Sequence, residues 1–345
     1  MGCMNTTRIA INGGGRIGRS FLKLALKKDL QIVAINDLAD IDNIAYLLKY
    51  DSAYGRSGLD VKVKEDKKAL IINGKEVAYT SIKDPIELPW KDLNIDIVLE
   101  STGLFITYEK AHAHITAGAK RVVISAPSKD TGGAEQAVTV LMGINEGDFS
   151  KSIISSNASC TTNSASPLIA ILNEKIGIEK AILNTVHGYT ASQSLVDSPN
   201  KKDWKEGRAA AHNIVPTTTG AAIAVTQVIP ELVGLFDGIS MRVPVIAGSI
   251  ADITFIAKRN TTVEEVNAIL IEAAKEARWA KTFTVTSEPL VSGDIVGEQF
   301  AAIADLSFTK VVGGNLVKVL SWYDNEMGYT SALVEHIIKA GEFLK

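Results

Sequence analysis

Apolar positions in the first half of the chain fall into two alternating patterns. The runs RIAIN (8–12), QIVAIND (31–37), IDIVLEST (95–102) and RVVISAP (121–127) predict strands, the last two buried on both faces. Between them, GRSFLKLALKK (18–28) places Phe21, Leu22, Ala25 and Leu26 at helical spacing. YEKAHAHITAGAK (108–120) predicts a second helix, closing on Gly118. Strands alternating with helices imply an α/β fold with a parallel sheet covered on both sides. Residues 61–77 alternate polar and apolar positions around a turn at NGK (73–75), which predicts a hairpin insertion.

After about residue 155 the pattern changes. Longer strand-like runs appear at 180–190, 237–258 and 315–324. Two helical patterns interrupt them, at 219–232 and 262–277, the second opening on a Thr262–Glu265 capping box. This predicts an α+β region with a largely antiparallel sheet. Leu333, Val334, Ile337 and Ile338 form one stripe of a final amphipathic helix. No internal repeat or low-complexity tract is visible.

A chain of 345 residues is long for a single core, so two domains are expected. The net charge of -3 argues against nucleic acid as a primary partner and against an anionic membrane surface. No apolar run is long enough to span a bilayer, and no signal peptide is evident. The opening MGCMNT fits a myristoylation pattern at Gly2, but the expectation is a plain lead-in to the first strand. The two cysteines, Cys3 and Cys160, are not expected to pair, which fits a reducing, cytoplasmic setting.

The first strand runs into NGGGRIGRS, with Gly13, Gly15 and Gly18 in G-x-G-x-x-G order and a helix following. Such a turn brings backbone N–H groups and a helix start to a pyrophosphate. Asp37 ends the second strand nineteen residues after Gly18, where a carboxylate can accept ribose hydroxyls and repel a 2′-phosphate. The pattern favours NAD over NADP.

Cys160 sits in SSNASCTTNS, between a strand end and a helical pattern starting at Thr161. A thiol at a helix N-terminus is expected to ionise easily, and the N–H groups there can steady an oxyanion. Among five histidines, His187 stands out, because it ends the run AILNTV and opens a polar loop. His112 and His114 lie on the helix before a main strand, His212 on a predicted helix start and His336 on the last helix; each has a structural reading. A cysteine beside a nicotinamide suggests aldehyde oxidation through a thioester, with His187 as base and either water or phosphate as acyl acceptor.

AINGGGRIGR, AINDL, LLKYDSAYGR, SNASCTTN, RAAAHNIVPTTTGAA, RVPV and SWYDNEMGY together resemble the phosphorylating glyceraldehyde-3-phosphate dehydrogenase family, from about residue 8 to the end. The resemblance implies a Rossmann-type NAD domain at 1–157, to which a helix at 326–345 returns, and a catalytic domain at 158–325. It implies Cys160 as nucleophile and His187 as base. It places Gly13, Gly15, Arg16, Ile17, Gly18, Asp37, Leu38, Lys83, Thr102, Gly103, Ser125, Pro199, Asn325 and Tyr329 about NAD. It assigns Ser159, Thr161, Thr190, Arg208, Thr219, Gly220 and Arg242 to two anion sites, one for glyceraldehyde 3-phosphate and one for inorganic phosphate. No metal is implied, and a homotetramer is.

The chain departs from the family at Gly14 (most members have Phe), Ser164 (often Cys), Lys83 (often Arg) and Gly188 (usually Ala). Glu206 beside a single Arg208 weakens the expected inorganic-phosphate site. Two further readings stand beside the family's activity: oxidation of erythrose 4-phosphate with water as acceptor, and a binding role on the same fold.

Overall fold

The computed structural model describes residues 7–128, 130 and 137–344. Gly2 and Cys3 lie outside the described residues. The chain divides into two compact units: Met1–Val140 with Glu146–Ala158 and Leu333–Lys345, and Leu141–Asn145 with Ser159–Ala332.

The first unit runs β1 (Arg8–Asn12), α1 (Arg16–Lys27), β2 (Gln31–Asn36) and α2 (Ile41–Lys49). A two-residue pair, β3 (Tyr50–Asp51) and β4 (Gly55–Arg56), follows. Then come β5 (Val61–Val63), β6 (Ala69–Ile72), β7 (Lys75–Thr80), β8 (Ile97–Glu100), α3 (Tyr108–Thr116), β9 (Arg121–Ile124), β10 (Ala137–Thr139) and β11 (Ile154–Ser156). The nine-stranded sheet has the order β10-β11-β9-β8-β1-β2-β7-β6-β5. It is parallel from β10 to β7, and β6 and β5 add an antiparallel edge. The predicted insertion is thus only partly a hairpin, because its last strand joins the main sheet beside β2. Residues 97–100 and 121–124 are wholly buried, as strands without polar alternation require.

The second unit runs α4 (Cys160–Ile176), β12 (Ile178–Gly188), β13 (Val215–Thr218), α5 (Ala221–Val228), β14 (Phe236–Val243), β15 (Ser249–Ala257), α6 (Val263–Ala273), β16 (Phe283–Thr286), β17 (Ala302–Val312) and β18 (Leu316–Tyr323). The chain continues into α7 (Met327–Gly341), whose residues from Leu333 onward belong to the first unit. The seven-stranded sheet, β13-β14-β12-β15-β18-β17-β16, is antiparallel except at β12–β14 and β16–β17.

Several predicted boundaries move. The run at 237–258 is two strands, β14 and β15. The helix predicted over 219–232 ends at Val228, since Pro230 lacks the N–H a helix needs and starts a 3₁₀ turn instead. Only half of the capping box forms: Thr262 accepts from Glu265 N at 3.2 Å, while the Glu265 carboxylate turns to Arg259 and Thr261. His212 lies in a turn, not on a helix start. Strand alternation sends Leu183, Thr185, Ile253, Phe255, Val317 and Val319 to a buried face. The core there includes Leu168, Ile171 and Leu172 of α4. Among the described residues, no helix is long and apolar enough to cross a membrane.

Candidate active site

In the first unit the chain leaves β1 at Asn12 and turns through three glycines into α1. Gly13 has φ +105°, and a Cβ there would lie 2.7 Å from the Ser101 carbonyl carbon. A Cβ on Gly18 would lie 2.0 Å from Gly13 O, so strand end and helix start can touch only without side chains. Gly15 instead faces open space at the start of α1, and no side chain caps that helix. The N–H groups of the first turn are thereby left for an anion.

The Asp37 carboxylate stands at the end of β2, accepting from Gly14 N at 2.6 Å and Ala39 N at 2.8 Å. With Leu38, Lys83, Thr102, Gly13 and Gly15 it lines a cavity of about 760 Å³, a size suited to a cofactor. A phosphate-ready turn beside a ribose-ready carboxylate fits NAD. Arg16 opens α1 at this turn. Its guanidinium pairs with both Asp51 oxygens at 3.1 and 3.0 Å, while the backbone of Arg16 and Ile17 forms the turn's end.

Sequence reasoning missed a buried relay behind this cavity. Glu100 Oε1 accepts from Thr102 N at 2.7 Å and from the Thr102 hydroxyl at 2.5 Å. Glu100 Oε2 meets Asn12 Nδ2 at 2.6 Å and His114 Nε2 at 3.0 Å. Trp90 Nε1 donates to His114 Nδ1 at 3.0 Å, which leaves Nε2–H to donate to Glu100. The relay fixes Thr102 before Gly103, where φ is +73°. Ser125 N, after β9, donates to Glu100 O at 2.9 Å.

In the second unit Cys160 is the first residue of α4. Ala158 holds φ +53°, a costly conformation for a residue with a Cβ, and Ser159 then caps the helix by accepting from Thr162 N at 3.0 Å. His187 comes from β12, on the face that α4 covers, and its Nε2 lies 3.3 Å from Cys160 Sγ. Its Nδ1 is 2.7 Å from Gly188 O and 2.5 Å from Arg242 Nη1, on the neighbouring β14. Gly188 O can only accept from Nδ1 and the Arg242 guanidinium can only donate to it, so the two contacts call for opposite tautomers; the one that donates to Gly188 O leaves the Nε2 lone pair facing the sulfur.

Burial pushes the Cys160 thiol up from its ordinary value, against the opposing pull of Arg242 and Thr161. Burial and the Arg242 charge hold His187 down to about 3. Desolvation thus opposes the easy ionisation expected of a thiol at a helix start, while Arg242 and Thr161 favour it. Tyr323, also missed in the sequence, packs edge-on against the His187 ring at 5.9 Å. Its hydroxyl reaches Thr161 Oγ1 at 2.9 Å and Thr185 Oγ1 at 2.7 Å.

That contact changes the reading of Thr161, whose hydroxyl points into the core, leaving its backbone N–H for an anion. Ser159 is engaged as a cap but keeps its place beside Cys160. Gly220 is the N-cap of α5, and Thr219 Oγ1 accepts from Ala221 N at 3.2 Å. Among the described residues Thr190 Oγ1 meets Ser192 Oγ, at 3.0 Å. Arg208 Nε is bound to Asp197 at 2.8 Å in an exposed loop. Pro199 is exposed in the same loop, and Tyr329 is buried in the first turn of α7. Asn325 Oδ1 accepts from Ser249 Oγ at 2.9 Å, and Ser249 in turn accepts from Gly188 N at 3.1 Å. This chain leaves the Asn325 Nδ2 as a donor.

Two family models match: glyceraldehyde 3-phosphate dehydrogenase, NAD binding domain, over residues 7–108, and the same family's C-terminal domain over 159–325. Glyceraldehyde-3-phosphate dehydrogenase of Thermotoga maritima is 48% identical over 332 residues, covering 95% of this chain and 97% of the relative. The Clostridium pasteurianum enzyme is 47% identical over 334 residues, 95% and 96% of the two chains. Glyceraldehyde-3-phosphate dehydrogenase A of Escherichia coli is 43% identical over 338 residues, 97% and 100%. With the cysteine–histidine pair and the glycine turn before it, this likeness means that the chain belongs to the glyceraldehyde-3-phosphate dehydrogenase family and is an NAD-dependent oxidoreductase.

Proposed function

We propose that the chain oxidises D-glyceraldehyde 3-phosphate to 1,3-bisphosphoglycerate through a thioester on Cys160. The observation that carries this reading is the 3.3 Å approach of His187 Nε2 to Cys160 Sγ at the start of α4. As Sγ bonds to the aldehyde carbon, the thiol proton passes to Nε2 and then to the carbonyl oxygen, giving a hemithioacetal. His187 next removes that hydroxyl proton as the carbon–hydrogen bond breaks, leaving a thioester. NAD, when bound, supplies the hydride acceptor. Attack by inorganic phosphate on the thioester carbon releases the acyl phosphate and returns sulfur with its proton. Backbone N–H groups at the start of α4 steady the oxyanion at each attack. Arg242, Thr190, Ser159, Thr219 and Gly220 hold the anionic groups. Asp37, Leu38, Lys83, Thr102, Gly103 and Ser125 hold NAD with the glycine turn, and Asn325, Tyr329 and Pro199 complete its setting.

The same reading makes residues 1–157, with the returning helix, the NAD-binding domain and 158–325 the catalytic domain of a cytoplasmic homotetramer. The sheet face opposite α4 supports association, because it presents Ile182, Ile239 and Phe308 to solvent. NADH formation from aldehyde, NAD and phosphate tests the reaction. Cys160→Ser is expected to lose at least about a thousandfold in kcat, since alkoxide formation replaces thiol chemistry; near-normal turnover would remove the nucleophile assignment. The Arg208–Asp197 pair favours a second reading, oxidation of erythrose 4-phosphate with water as acceptor. Rates that do not change when phosphate is omitted would select it.

A further inference from the structure

At the opposite end of the first unit's sheet from its dinucleotide turn, the N-terminal ends of parallel strands β9 and β11 carry a second, smaller cleft. Its volume is about 210 Å³, or some seven water volumes. Lys120, Arg121, Ser150, Lys151 and Ser152 line it, with Phe343 and Leu344 as an apolar wall, and no carboxylate is among the lining residues. Arg121 is only 7% exposed. Its bonds go to backbone carbonyls alone: Ser152 O at 2.7 Å, Phe149 O at 3.0 Å and Phe343 O at 2.9 Å. Two of its five N–H groups therefore have no acceptor among the described residues, and no carboxylate there balances its charge.

A guanidinium withdrawn from water without a counter-ion is costly, and burial draws Arg121 down from its ordinary pKa. Ser152 lines the same cleft. It is 3% exposed, and its Oγ has no hydrogen-bond partner among the described residues. Ser150 Oγ, by contrast, donates to Gly147 O at 2.7 Å. Lys120 and Lys151 stand largely in solvent, and each meets a partly buried carboxylate, Asp96 at 2.7 Å and Asp148 at 2.9 Å. The lysine ends of both pairs remain open to solvent.

We propose that this cleft binds a phosphate-class oxyanion, free or as a phosphomonoester, held by Arg121 and Ser152 with Lys120 and Lys151 at the mouth. A tetrahedral oxyanion supplies what the cleft lacks: negative charge for a buried guanidinium and an acceptor for a buried hydroxyl. The apolar wall leaves room for a short carbon stem on the phosphate. Because Arg121 also holds Phe343 O, an anion here fastens the end of α7's segment to the start of β9.

The proposal does not rest on the catalytic reading, and none of its residues serves that reading. Equilibrium dialysis with radiolabelled inorganic phosphate compares the intact protein with a Lys120→Gln/Lys151→Gln/Ser152→Val variant, which leaves Arg121 in place. The variant is expected to lose one bound phosphate per chain, or to bind it at least tenfold more weakly, while NADH formation stays within twofold. Unlabelled glycerol 1-phosphate displaces that label if the cleft takes monoesters, and leaves it if only the free anion enters. A crystal soaked in selenate should show anomalous selenium density within hydrogen-bonding distance of Ser152 Oγ. Equal phosphate binding by the two proteins, or no density there while other anion sites fill, overturns the proposal.

Discussion

At the scale of single residues, Ser249 shows how a hydroxyl outside the recognisable motifs can govern a site. It accepts from Gly188 N and donates to Asn325 Oδ1, so it links the residue after the base to the amide assigned to the nicotinamide. Ser249→Ala leaves Asn325 free to rotate its amide. The expected result is a rise of several-fold in KM for NAD with kcat changed less, because one neutral hydrogen bond is worth about 1 kcal/mol. An unchanged KM would show that Asn325 needs no such tether. Neither Ser249 nor Tyr323 could be found from the sequence, where each sits inside an ordinary strand pattern. Cys160 and His187 could, because a lone thiol among small polar residues and a histidine closing an apolar run are local signals. Their charge state could not. It depends on desolvation, which only the folded neighbours create.

At the scale of elements, the parallel strands and helices of the first unit were legible because their apolar runs are uninterrupted. β17 was not, since its pairing with β18 shifts register between Asp305 and Lys310, which breaks the alternation that marks a strand. The helix predicted over 219–232 outlasts α5 because its apolar stripe continues past Pro230, where hydrogen bonding cannot. At the start of α6 Thr262 caps as its pattern predicts, while Glu265 does not close the reciprocal bond. Two separate contributions follow. Thr262→Ala removes the N-cap acceptor and is expected to cost about 1 kcal/mol, read as a lower urea midpoint. Glu265→Gln acts on Arg259 and Thr261 instead, in an exposed cluster, and is expected to change the midpoint much less. If Glu265→Gln cost as much as Thr262→Ala, the reciprocal capping box would have to form in solution after all.

At the scale of the whole molecule, two imidazoles tie stability to pH. His336 is buried in the first unit, with Nε2 2.8 Å from Ser155 Oγ and Nδ1 3.1 Å from Asn157 Oδ1. Burial holds it down to about 3, as it does His187 in the second unit. A histidine of the unfolded chain titrates near 6.5. Between these values the unfolded state binds more protons than the folded one. The neutral form's stability is therefore complete above about pH 6.5 and falls as pH drops toward 3, by up to about 1.4 kcal/mol per pH unit for each group. At pH 5 each histidine has cost about 2 kcal/mol relative to pH 8. Carboxylates add their own acid limb, but a comparison between variants cancels it. His336→Gln lowers stability at every pH by leaving Ser155 and Asn157 poorly matched, yet its loss between pH 8 and pH 5 should be smaller than that of the unaltered protein by about 2 kcal/mol. Urea unfolding at the two pH values measures this difference directly. An identical pH 8 to pH 5 loss in both proteins would mean that His336 titrates in the folded chain as it does in the unfolded one, and that burial in the first unit does not keep it neutral.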